Sequence, residues 1–308
     1  MLLIDIIFFI LSIGLILLAS HFLVQQACLL GKHLNWPESL IGIVILGIGT
    51  SMPEIMISLY SHLHNHEGLF LGNILGSNIA NSTLILGIAL LFAQHTSAPF
   101  RTLCRPFSFM VISSLLLVVM IADKTLNVWE ALILVVLAIA SLIHYQPTAK
   151  PHDTTSRPSF CKVIKYSCII AGLLGLIFVG AHITVNCGLQ IATTLHLSET
   201  AFGALFIAFT TSLPEMAVAA VAAKQKRLPL AVSTIIGSNT ANIGLAIGLS
   251  ALLKPIVLHS YQLLPIAGVM LLCSLLLPFW GNNSSHLHVA KGIILIALYG
   301  AFIAWIAW

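Results

Sequence analysis

The sequence is short of charge. Only 7% of its 308 residues are Asp, Glu, Lys or Arg, where a soluble domain carries about 25%. So few charges cannot cover a chain of this size with a solvated surface. With 59% hydrophobic residues and a mean hydropathy of +1.05, its solvent is largely lipid, and it reads as a polytopic membrane protein. The six cysteines form no C-x-x-C pair and no metal-ligand spacing, which excludes a thiolate metal or redox motif and leaves them as small apolar residues. No basic run is dense enough for nucleic acid. H-E-x-x-H, G-x-S-x-G and paired membrane aspartates are absent as well, so nothing points to an intramembrane enzyme, and no cofactor is expected. At the N-terminus, Asp5 stands where a removable leader has basic residues, and the apolar run 2–19 is long enough to span.

What the chain does have is a duplicated polar pattern. Thr50, Ser51, Pro53 and Glu54 spell T-S-x-P-E, and Gly76, Ser77, Asn78, Ala80 and Asn81 spell G-S-N-x-A-N. Both recur at a constant offset of 161, as Thr211, Ser212, Pro214 and Glu215, then Gly237, Ser238, Asn239, Ala241 and Asn242. Gly42, Gly87, Glu38 and His21 have counterparts at the same offset in Gly203, Gly248, Glu199 and His182.

Apolar stretches of about 18–25 residues predict an all-α protein of ten spans. They lie near 2–28, 38–62, 69–94, 106–122, 127–145, 162–190, 199–222, 229–253, 261–280 and 289–307. The polar interval between the halves divides the chain into a first repeat, 1–145, a cytoplasmic linker, 146–161, and a second repeat, 162–308. Alternating loops place Lys32, Arg101, Arg105, Lys150, Arg157, Lys162, Lys165, Lys224, Lys226, Arg227 and Lys291 on one side and Lys124 and Lys254 on the other. The positive-inside bias makes the first side cytoplasmic and puts both termini outside, in a bacterial inner membrane. Five spans per half is an odd number, so the halves enter the membrane inverted, an arrangement recurrent among alternating-access carriers.

The motifs supply oxygen. Thr50 and Glu54 share a helical face, as do Ser77 and Asn81. Pro53 and Pro214 lack an amide hydrogen, which is expected to free the carbonyls of Gly49 and Thr210. By helical rise, Glu54 and Asn81 both reach the middle of a bilayer core about 30 Å thick. A carboxylate there costs about 2.5–3.5 kcal/mol on insertion scales, and no Lys or Arg lies in the central segments to offset it. A cation or proton must. Calcium takes six to eight hard oxygens, and the same set suits sodium. The candidate ligands are therefore Glu54 and Glu215, with Thr50, Ser51, Ser77, Asn81, Thr211, Ser212, Ser238, Asn242 and the carbonyls of Gly49 and Thr210. Read as packing residues, the small polar groups would explain one such motif, but not two copies each centred on a glutamate.

These residues resemble the alpha repeats of the calcium/cation antiporter superfamily, which includes the sodium/calcium exchangers. The likeness rests on G-T-S-M-P-E at Gly49–Glu54, G-N-I-L-G-S-N-I-A-N at Gly72–Asn81, T-T-S-L-P-E at Thr210–Glu215 and G-S-N-T-A-N at Gly237–Asn242. The short linker is similar to that of prokaryotic members. The resemblance implies Ca²⁺/Na⁺ antiport by alternating access, with Glu54 and Glu215 as shared ligands and Thr50 and Thr211 beside them at the metal. Several relatives have Asp where Asn242 stands; here two carboxylates balance one Ca²⁺ or two Na⁺. The Gly72–Asn73 pair becomes Ser233–Thr234, and His21 and His182 occupy places where relatives often have acids. Proton-coupled calcium exchange and, less so, a cation channel are the alternatives.

Weaker signals remain. His62, His64, His66 and Glu67 form H-x-H-x-H-E in a loop expected outside, suited to a transition metal or to gathering cations, although a plain polar loop accounts for it too. His286 and His288 are similar. Glu38 and Glu199 begin helices, where an acid meets the positive dipole end.

Overall fold

The computed structural model describes residues 2–34, 36–65, 67–93, 103–143, 160–194, 211–258, 263–281 and 288–307. The helices are α1 (Leu2–Leu34), α2 (Glu38–Thr50), α3 (Met52–Leu63), α4 (67–92), α5 (Cys104–Met120), α6 (Val128–Ile143), α7 (Phe160–Thr194), α8 (Leu213–Lys224), α9 (Leu228–Leu253), α10 (Leu263–Gly281) and α11 (His288–Ala307). The protein is helical, and its apolar helices suit a bilayer. Among the described residues, six helices can cross a membrane by length and composition, or seven when the bent pair α2–α3 counts as one span. Val128–Ile143 and Leu263–Leu277 are apolar but shorter, and the part of 199–222 before residue 211 lies outside the described residues. So do 146–159, nearly all of the expected linker, together with Glu199, Gly203, Thr210, His66 and His286.

Burial sorts the helices into layers. In α9, 94% of the most apolar window is buried, and in α4 83%, against 29% in α1 and 17% in α7. The helices that carry G-S-N-x-A-N are therefore central. The flanking pair α1 and α7 turns Phe8, Ile10, Leu11, Leu18, Phe160, Leu176 and Phe178 outward, as a lipid-facing surface must. These two helices pack along one another, with Gly180 against Ile16 and the Ser12 carbonyl. At 33 and 35 residues they exceed the roughly 20 needed to span, so they run tilted or project beyond the hydrocarbon.

Two buried apolar clusters show how the central helices cross. One joins Leu86, Ala89 and Leu90, late in α4, to Leu230, Val232 and Ile235, early in α9. The other joins Phe70, Leu71 and Ile74, early in α4, to Ile243, Ile247 and Ala251, late in α9. Helices α4 and α9 are thus antiparallel and cross near Asn78 and Asn239. Past the end of α9, Ile256–Val257 pairs antiparallel with Thr125–Leu126, a two-stranded bridge that helical periodicity does not foretell.

Each proline motif lies at the start of a helix rather than inside one. At Ser51 (φ −80°, ψ 2°) the chain turns by 44° between α2 and α3, and Pro53 falls in the first turn of α3. Ser212 (φ −86°, ψ 4°) precedes α8 in the same conformation, with Pro214 again in the first turn. Proline is favoured there because its missing N–H has no helical partner to lose. A helix therefore begins after Ser51 and again after Ser212. Directly after G-S-N-x-A, the helices widen into π-turns at Asn81–Ile85 and Asn242–Ile247. A π-bulge shifts side-chain register, and such bulges are frequent at functional sites.

Candidate cation site

The two breaks bring the paired motifs face to face. Ser51 Oγ donates to Glu215 Oε1 at 2.9 Å, and Ser212 Oγ donates to Glu54 Oε1 at a longer 3.5 Å. Each carboxylate therefore takes a hydrogen bond from the serine of the other half. Glu54 and Glu215 are only 1% and 2% exposed. Beneath them Asn81 Nδ2 donates to Asn239 Oδ1 and Asn242 Nδ2 to Asn78 Oδ1, both at 2.9 Å. The Nδ2 groups of Asn78 and Asn239 meet each other's backbone carbonyl at 3.5 Å. Every member of this amide lattice maps onto its counterpart by the offset of 161 seen in the sequence.

With their nitrogens engaged, the amide oxygens are left over. Asn81 Oδ1, Asn242 Oδ1, Glu54 Oε2, Glu215 Oε2 and Ser77 Oγ are buried without a hydrogen-bond partner. An unpaired buried acceptor is costly, the more so when charged. Five of them within the two motifs, four being carboxylate or amide oxygens, form a set that a hard cation satisfies. Thr50 Oγ1 donates to the Leu46 carbonyl at 2.8 Å, and Thr211 Oγ1 to Asn73 Oδ1 at 3.3 Å. Ser238 Oγ donates to the Gly47 carbonyl at 3.1 Å. Gly49 lies against Leu174 of α7 and helps line a cavity of about 220 Å³ with Thr50, Met52, Pro53, Pro214, Leu174, Gly175, Ile177 and Phe178. That cavity reaches both proline breaks from the α7 side.

Close backbone approach makes this geometry possible. A Cβ on Gly47 would lie 2.9 Å from the Gly237 Cα, and one on Gly237 2.6 Å from the Ile43 carbonyl oxygen. Gly237, the glycine of G-S-N, is thus what lets α9 touch α2. Sequence reasoning leaves out Gly47, Asn73, Asn78 and Asn239. The last two stand inside the motif, yet nothing in spacing alone shows that they orient Asn81 and Asn242.

Other expectations resolve plainly. Among the described residues no three His, Cys, Asp or Glu gather to hold a metal. His62 is buried between Glu67 and the Lys254 carbonyl and His64 is exposed, while His66 of H-x-H-x-H-E lies outside the described residues. His21 pairs with Gln25 and His182 with Asn186, each at 3.0 Å on an exposed face. Glu38, at the start of α2, is ion-paired with Arg227.

A family model described as "Sodium/calcium exchanger protein" matches residues 4–145 and 165–308, nearly the whole chain. The chain belongs to this family. Its relatives include the inner membrane protein YrbG of Escherichia coli, 30% identical over 96% of this chain and 94% of that protein. The sodium/calcium exchanger MaX1 of Methanosarcina acetivorans is 28% identical over 96% of this chain and 97% of that one. A structure of the sodium-calcium exchanger NCX_Mj soaked with Na⁺ and Sr²⁺ superposes with a TM-score of 0.84 at 26% identity, covering 99% of both chains. This exchanger-family chain is an integral, multi-pass membrane transporter of cations, not an enzyme.

Proposed function

We propose that this chain is a secondary active antiporter that exchanges Ca²⁺ for Na⁺ by alternating access. The ions bind between two inverted repeats, 1–145 and 162–308, of five spans each, joined by the cytoplasmic linker 146–161. Glu54 and Glu215 are the shared ligands, with Thr50 and Thr211 beside them at the calcium. Ser51, Ser77, Asn81, Ser212, Ser238, Asn242 and the carbonyls of Gly49 and Thr210 complete the calcium or sodium shells. The membrane is the bacterial inner membrane, with both termini outside.

One observation carries the reading: two buried carboxylates, each bonded by the serine of the opposite half, with partnerless oxygens around them. A fixed channel has no need for the ligands of one ion to come equally from two inverted halves. A carrier does, because rocking one half against the other changes which side reaches the ion. The sodium and calcium named for the relatives fit the hard oxygens present.

The test is ⁴⁵Ca²⁺ uptake into proteoliposomes under a sodium gradient, a proton gradient or neither. Uptake is expected with the sodium gradient and is lost in Glu54→Gln and in Glu215→Gln. Uptake driven by the proton gradient alone makes the protein a proton-coupled exchanger, and uptake that survives both substitutions removes the carboxylates from the site.

A further inference from the structure

We infer that the His62–Glu67 pair is a proton-binding site separate from the carboxylate site, and that its proton is part of a tie between the halves. His62 lies in the last turn of α3 and is fully buried. Its Nδ1 lies 2.7 Å from Glu67 Oε2 and its Nε2 lies 2.7 Å from the backbone carbonyl of Lys254. A carbonyl oxygen only accepts, so Nε2 bears a hydrogen. The Nδ1 contact needs a second one, on Nδ1 itself or on the Glu67 carboxyl. Wherever it rests, the pair holds one proton more than a neutral imidazole beside a carboxylate, and that proton belongs to both groups.

The surroundings keep the pair dry and fixed. The Phe70 ring lies 5.2 Å from the imidazole, and the Glu67 side chain is 11% exposed. The charged groups beside His62 include Glu67 on α4 and Lys254 beyond α9, whose ammonium is bonded to Asn65 Oδ1, while His64 on the same turn is exposed. His62 thereby fastens the helix that carries Glu54 to the end of the helix that carries Ser238 and Asn242. Without that proton one of the two facing acceptors has no donor, and the tie loses a hydrogen bond. The histidine run in the sequence thus serves a proton through its first member.

The experiment uses the full chain in lipid nanodiscs with ¹⁵N-labelled histidine, and His62→Phe identifies the His62 resonances. At neutral pH the wild type should show hydrogen at both contacts, with Nε2 protonated and Nδ1 sharing a proton with Glu67. Glu67→Ala should melt about 2–4 °C lower, the shift expected from one hydrogen bond in a chain of this size. Glu67→Gln offers an amide donor to a neutral His62, which satisfies both nitrogens without the extra proton, so this variant should melt with the wild type and show a neutral imidazole. A neutral His62 beside an ionised Glu67 in the wild type overturns the inference. So does a Glu67→Gln protein whose imidazole keeps the wild-type proton.

Discussion

Asn239 shows how much one side chain can hold. It accepts from Asn81, donates to Ser82 Oγ at 2.9 Å, and reaches the Asn78 carbonyl. Asn239→Ala strands the Asn81 amide, and the buried groups it unpairs should cost about 2–4 kcal/mol of stability. Guanidinium or thermal unfolding in detergent measures that cost. Calcium affinity should fall as well, about tenfold for each 1.4 kcal/mol of lost orientation at Asn81. A variant with wild-type stability and affinity would show that the lattice is ornamental. In the proposed site protons and calcium compete for the same Glu54 and Glu215 oxygens, so calcium binding should be tightest at high pH and weaken as pH falls. Equilibrium ⁴⁵Ca²⁺ binding between about pH 5 and 8 checks this, and a flat profile counts against ionised glutamates as ligands. The glutamates are legible in sequence because a carboxylate in an apolar run is too costly to keep unless a cation or proton offsets it. The lattice is not, since an asparagine in a helix looks the same whether it touches an ion or aligns a neighbour.

Among the elements, the contact of α2 with α9 sets the width of the site. Gly47 and Gly237 let the two backbones touch, whereas Gly72, in the same motif region of α4, has open space around its α-carbon. Gly237→Val should therefore separate α2 from α9, destabilise by about 1–3 kcal/mol through overpacking, and abolish calcium uptake. Gly72→Ala should leave both unchanged. Comparing melting temperature and ⁴⁵Ca²⁺ uptake for the two variants decides the point, and equal effects would refute it. Helical character and approximate extents follow from apolar runs, but helix ends do not. α1 runs on to Leu34 and α7 to Thr194, because they pack against each other over the excess length. The breaks at Ser51 and Ser212 are not readable in advance because proline announces that a helix is disturbed, not whether it bends or begins anew.

On the scale of the whole molecule, the halves are joined along α1 and α7, where the motifs meet, and at one end of α3 and α9. An ion bound among the motifs holds both halves together, so it should stabilise the fold by mass action. At 100 times its dissociation constant, calcium should add about 2.7 kcal/mol and raise the melting temperature by about 5–10 °C. Differential scanning fluorimetry with calcium, strontium and sodium tests this, and Glu54→Gln should cancel the calcium shift. No shift with any cation would mean that the site does not bind ions in the folded protein.

Composition alone settles the lipid environment, since this few charges cannot clothe a water-soluble surface. The 161-residue offset alone settles that the chemistry is duplicated, because chance does not repeat nine matched positions at one spacing. Only the tertiary structure decides how the copies combine: crossed, with each serine serving the other half's glutamate and each asparagine nitrogen spent on its neighbour, so that oxygens alone remain to face a cation. Spacing along one chain records which side chains share a helical face. Which face meets which is fixed by backbone approach, and here that depends on two glycines having nothing in the way.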